Sequence, residues 1–147
     1  MTQNAIEREI FIGTDIDSVW SLVSKAGFWV GDALHFDTDA SEGETVTIET
    51  EQYGRFPVQV DRLDPPRYAA YRWASGYPNA ELTDTNSTLV EFTLAEHNGG
   101  VLLRLRESGF ANLDGSDDFR LARWNDNVGG WKLQLDRLRE VSEGVPA

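Results

Sequence analysis

Between Leu121 and Leu138 the apolar residues Leu121, Trp124, Val128, Trp131, Leu135 and Leu138 recur at alternating spacings of three and four. That rhythm puts all six on one face of an α-helix. Helix-start chemistry stands just before it: Asp114-Gly115-Ser116, with Asp117 and Asp118 in the first turn, where negative charge favours the positive end of the helix dipole. Arg137, Arg139 and the stop at Gly144-Val145-Pro146 suit the other end. The pattern predicts one helix from about Ser116 to about Glu143. A stripe this long needs an extended apolar surface to cover it.

The preceding chain supplies that surface. From about Leu34 to Phe110 the dominant period is two, the period of strands. Thr45–Thr50 and Arg55–Val60 read as strands around a Tyr53-Gly54 turn, and Arg67–Trp73 as another after the Asp64-Pro65-Pro66 turn. Pro57 cannot donate to a ladder, so its strand should be an edge or carry a bulge there. Thr88–Glu96 and Val101–Ser108 follow, joined by His97-Asn98-Gly99-Gly100, a strong hairpin signal. Upstream, Ile6–Ile12 reads as a strand. Thr14 or Asp15 then caps a short helix, Ile16–Ser24, with Ile16, Val19, Trp20 and Val23 at helical spacing. Lys25–Asp32 is too short and Gly-flanked for a helix and reads as a turn. The order is strand, short helix, several antiparallel strands, long helix. The expectation is an α+β fold in which a curved antiparallel sheet takes the long helix on its concave side.

Size and composition bound the rest. A chain of 147 residues fits one domain spanning 1–147, and 40% hydrophobic residues with five Trp provide for a core and for cavity walls. The absence of cysteine excludes disulfides, thiolate metal sites and a Cys nucleophile. A net charge of −12 repels phosphate backbones and anionic lipid headgroups, so neither nucleic acid nor membrane is an expected partner. No apolar run approaches the roughly 18 residues of a membrane span. The first residues lack the basic and apolar regions of a signal peptide. A cytoplasmic location is the simple expectation.

Several segments, in this order, resemble the SRPBCC superfamily, also called START-like or birch-pollen-allergen-like. Within it the chain is most similar to the branch named after the activator of the ninety-kilodalton heat-shock chaperone's ATPase. Ile6–Ile12 followed by Val19-Trp20 looks like its first strand and helix. Asp64-Pro65-Pro66-Arg67 before Tyr71-Arg72-Trp73 looks like its proline-rich turn and Trp-ended strand. Arg106–Phe110 resembles its exit from the last strand, and Gly129-Gly130-Trp131 with Leu135 and Leu138 resembles its helix signature. The usual paired-Trp stretch survives only as Phe28-Trp29. The resemblance implies a helix-grip fold with an internal cavity, and functions ranging over lipid or sterol carriage, polyketide cyclisation, hormone sensing and chaperone stimulation.

Alternation assigns the faces. Val101, Leu103, Leu105 and Glu107 share one face of their strand, with Arg104 and Arg106 opposite; Val90, Phe92 and Leu94 face the same way. Tyr71 and Trp73 share a face, and Trp124, Asn127, Val128 and Trp131 come from the helix. The candidate ligand-binding set is therefore Tyr71, Trp73, Phe92, Leu94, Leu103, Leu105, Glu107, Trp124, Asn127, Val128 and Trp131, with Glu107, Tyr71 and Asn127 as its polar groups. A plain packed core is the competing account of the aromatics. Gly129-Gly130 in mid-helix costs roughly 1 kcal/mol per residue relative to Ala, which suggests close approach of backbone to sheet or ligand. A buried Glu107 would need an Arg, a polar ligand, a solvent-exposed rim or a proton. No catalytic triad, zinc motif, phosphate-binding loop or dinucleotide fingerprint appears, and no metal or cofactor is expected. His35 and His97 are the only histidines, His97 in a hairpin turn. The leading expectation is a binding protein for a hydrophobic or aromatic small molecule, lipid-like or polyketide-like. A cyclase- or hydrolase-like enzyme using Glu107 and Tyr71 is the alternative, and a chaperone-stimulating module the third. A homodimer is compatible with all three.

Overall fold

The computed structural model describes residues 4–30, 40–77 and 79–144; His35 lies outside them. The described chain runs β1 (Ala5–Ile12), α1 (Ile16–Val23), β2 (Thr45–Glu49), β3 (Arg55–Asp64), β4 (Tyr68–Trp73), β5 (Thr88–His97), β6 (Gly100–Ser108), a 3₁₀ turn (Phe110–Asn112) and α2 (Asp117–Ser142). The strands form one antiparallel sheet in the order β1-β6-β5-β4-β3-β2. Strands β2 to β6 are thus a meander, and β1 closes onto the last of them, with Ile6 opposite Glu107 and Ile12 opposite Val101. The long helix lies on the inner face of this sheet, where the Trp131 ring meets Phe92 at 5.8 Å.

The helix starts follow the cap chemistry. Asp15 accepts from the Ser18 backbone N–H at 3.1 Å, and the Ser116 hydroxyl accepts from that of Phe119 at 3.1 Å. At its far end, α2 is tied back to the first strand: the Gly13 N–H donates to Glu143 Oε2 at 2.7 Å. The helix is continuous through Gly129-Gly130. Trp131, Leu135 and Leu138 are buried, Trp124 and Val128 are partly buried, and Leu121 is 41% exposed. The predicted stripe is therefore fully covered in its second half and only partly in its first. The flank of its first half borders an open cleft.

Two local expectations are refined. His97 pairs with Gly100, so the β5–β6 connection is a two-residue turn, with Asn98 at φ 48° and Gly99 at φ 79°. Positive φ at both positions is the primed turn whose twist suits a hairpin. β3 is not an edge strand, and its register shift falls between Val60 and Arg62 rather than at Pro57. Pro57 is accommodated because it pairs with Thr47 of β2 while the β4 ladder begins only at Val58. No helix among the described residues is long and apolar enough to cross a membrane.

Candidate functional site

Glu107 is the centre of the interior. It is 0% exposed, flanked in the sheet by Ile6 on one side and Val90 on the other. A lone buried carboxylate would be very costly, and among the described residues no cation is paired with this one. Four neutral donors do. Trp131 Nε1 donates to Oε1 and Trp73 Nε1 to Oε2, each at 2.8 Å. Thr88 Oγ1 stands 2.5 Å from Oε2, and Asn127 Nδ2 reaches both oxygens at 3.0 and 3.2 Å. Strand alternation aims Trp73, Thr88 and Glu107 inward from three adjacent strands, and helical spacing brings Asn127 and Trp131 down from α2. Burial raises the Glu107 pKa above the usual carboxylate value, while hydrogen bonds from Thr88, Trp131, Trp73 and Asn127 work against the rise.

Above this hub lies a cleft of about 510 Å³. Its walls are the rings of Trp29, Tyr53, Phe56, Trp73 and Trp131, and its polar lining includes Ser75, Asn127 and Gln134. An Arg123–Asp126 ion pair at 2.8 Å borders it. Gly130 also lines it, and a Cβ built there would meet nothing within 4 Å. Of the two approaches expected at Gly129-Gly130, to the sheet or to a ligand, that to the sheet is not met; the space beside Gly130 is open. Trp29 Nε1 and Arg123 Nε are buried without a hydrogen-bond partner among the described residues. A larger depression of about 580 Å³ lies on the outer face of the sheet. It is ringed by Glu7, Glu9, Glu91, Arg104 and Arg106, which pair with one another, and is a solvated charged surface.

The eleven candidate residues separate into four groups. Trp73, Asn127 and Trp131 line the cleft, and Glu107 lies under it. Tyr71 and Phe92 are fully buried in an aromatic cluster around Trp29, whose ring centroid is 4.8 Å from Tyr71 and 5.7 Å from Phe92. The Tyr71 hydroxyl donates to the Val23 carbonyl at 2.6 Å, and burial raises its pKa well above the usual phenol value. Leu94, Leu103 and Leu105 are packed in the core at 0–1% exposure and do not line the cleft. Trp124 donates to the Ala5 carbonyl at 3.0 Å, and Val128 packs partly buried against the core. For these seven, side chains fill the volume that the sequence left to a cavity. Sequence reasoning missed Trp29, which fills much of it. Only the Phe28-Trp29 pair signalled it, in a turn with no periodicity to aim it.

An antiparallel sheet gripping one long C-terminal helix, with a cleft between them, defines the helix-grip, START-like class. Within that class the chain belongs to the family described as Activator of Hsp90 ATPase homolog 1-like protein, whose pattern matches residues 14–143. Solved structures agree on the fold. A protein from Mesorhizobium loti has a TM-score of 0.74 at 18% identity, over 97% of this chain and 99% of that one. One from Bacillus halodurans has 0.72 at 22%, over 97% and 100%. The Aha1 dimer from Colwellia psychrerythraea has 0.71 at 16%, over 96% and 97%. No curated protein gives a significant match to the chain.

Proposed function

We propose that the protein binds a hydrophobic small molecule, aromatic or lipid-like, in the cleft between the Trp29 turn, the Trp73 end of β4 and the middle of α2. The observation that carries this reading is the open space beside Gly130, walled by five aromatic rings and bordered by a few polar groups. Concave, largely apolar sites with sparse polar groups are the usual form of small-molecule pockets. The acid–base reading of Glu107 and Tyr71 draws no support from their positions. One carboxylate is enclosed by four donors, and the one phenol is committed to a backbone carbonyl.

Native mass spectrometry of protein purified from its source, followed by amide-resolved NMR titration with whatever co-purifies, tests the proposal. Bound ligand should shift resonances at Trp29, Trp73, Asn127 and Trp131. Gly130→Leu, which grows a side chain into the open space, should abolish binding with the fold intact. Binding that survives Gly130→Leu, or shifts confined to other surfaces, would overturn it. Self-association is a second part of the proposal, prompted by the Colwellia dimer of the same fold; sedimentation equilibrium showing a monomer throughout would remove it.

A further inference from the structure

The orientation of the Asn127 amide is dictated from below. Its Nδ2 group faces the Glu107 carboxylate at 3.0 and 3.2 Å and also donates to Ser75 Oγ at 3.1 Å. The reverse orientation would turn Oδ1, an acceptor, onto a carboxylate that offers it no donor except when protonated. Oδ1 is therefore the atom left over, and it has no hydrogen-bond partner among the described residues. Ser75 complements it. Its oxygen accepts from Asn127, and its own O–H is not engaged by any described group. Both residues line the cleft.

One acceptor and one donor thus stand side by side in a cleft walled mainly by aromatic rings. In any amide, Oδ1 is about 2.3 Å from Nδ2, so it lies within about 5.4 Å of Ser75 Oγ. One hydroxyl oxygen at about 2.7 Å from each can bridge that gap, donating to Oδ1 and accepting from Ser75. We infer that the ligand carries a hydroxyl group on an apolar, ring-sized body, recognised by the Asn127 carbonyl and the Ser75 hydroxyl together. An ether accepts but cannot donate, and a hydrocarbon does neither, so each leaves a cleft group without its partner. A bare ammonium would donate to Oδ1 but offers no acceptor to Ser75.

This inference rests on the cleft reading, and the test separates the two. β-Naphthol, its methyl ether and methylnaphthalene have similar bodies and differ at the polar group. Each is titrated into the full-length protein by NMR, and into Ser75→Ala and Gly130→Leu. The expected result is binding of all three to the wild type, with β-naphthol tighter than the other two by about tenfold, near the worth of one or two hydrogen bonds. Ser75→Ala, which leaves Glu107 with all four of its donors, should remove most of that preference and leave methylnaphthalene unchanged. Equal affinities for the three probes would overturn the hydroxyl assignment while leaving the cleft as the binding site. A preference that survives Ser75→Ala would overturn the assignment to this pair. Failure of all three to bind would overturn both readings.

Discussion

Trp73 on β4 and Trp131 on α2 direct their indole N–H groups at opposite oxygens of the Glu107 carboxylate, each at 2.8 Å. The long helix and the sheet are joined by this shared acceptor as well as by ring packing. A carboxylate suits the position because it presents acceptors only, and both indoles can only donate.

Glu107→Gln keeps the shape but supplies a single acceptor oxygen and an NH₂. One indole N–H must then face another N–H in a buried site. We expect a loss of about 1–3 kcal/mol, the usual cost of an unsatisfied buried polar group. Urea unfolding at neutral pH measures it. A variant as stable as wild type would show that the hub does not hold helix to sheet.

The same carboxylate sets a pH dependence. Because its folded pKa is raised, there is a pH range just above the unfolded value in which the native state keeps a proton that the unfolded chain has released. Stability from this group is fully present below the unfolded value of about 4.3 and falls as pH rises towards the folded pKa, then levels off. Glu107→Gln lacks that decline. The stability gap between wild type and variant should therefore narrow as pH rises above about 4.3. A gap that widens with pH would mean the four donors outweigh burial.

Trp131→Ala removes a ring that is 3% exposed and packed on Trp29 and Phe92. Truncating a buried aromatic costs about 3–5 kcal/mol. Trp131→Phe should cost less, because a ring remains and Asn127 still donates to the deserted Oε1. Denaturant curves of both variants give the comparison, and equal losses would mean that ring volume contributes little.

Gly129→Ala and Gly130→Ala should each stabilise the protein by up to about 1 kcal/mol, the difference in helix propensity. A Cβ at either position meets nothing within 4 Å, so no clash opposes the gain. Thermal melting detects it. Destabilisation at Gly130 would contradict the open space beside it.

Gly99→Ala is predicted to have the opposite sign in equally empty surroundings. Nothing lies within 4 Å of a Cβ there either, but φ is +79°. A residue with a Cβ in that left-handed conformation costs about 1–2 kcal/mol. Comparing melting of Gly99→Ala and Gly130→Ala separates backbone strain from packing, because packing is absent from both.

The faces of the fold were legible in the sequence and its closures were not. Alternation in β5 and β6 correctly set Val90, Phe92, Leu94, Leu103 and Glu107 inward, because a period of two leaves no choice once one face is apolar. The candidate set also grouped Glu107 with Trp73, Asn127 and Trp131, without foreseeing that their donors would enclose it. Thr88 escaped notice because a hydroxyl at a strand end carries no apolar signal. Trp29 escaped because a turn has no period to aim a side chain. The pairing of β1 with β6 joins segments roughly ninety to a hundred residues apart, and no local pattern encodes it. Leu121 continued the helical rhythm but lies exposed, since periodicity says which residues share a face and not how far the partner surface extends.

That pairing of β1 with β6 also orders events during synthesis. Each strand from β3 to β6 can zip onto its predecessor as it emerges. The first strand emerges before any of them and has no neighbour until the last has been made. Its ladder is the longest-range one in the sheet, closed only after the meander exists, and such distant contacts slow folding. The Gly13–Glu143 bond lies further along the same sequence of events, since Glu143 follows the whole of α2. A ribosome-bound chain halted before β6 therefore carries its N-terminal strand as an unpaired ribbon.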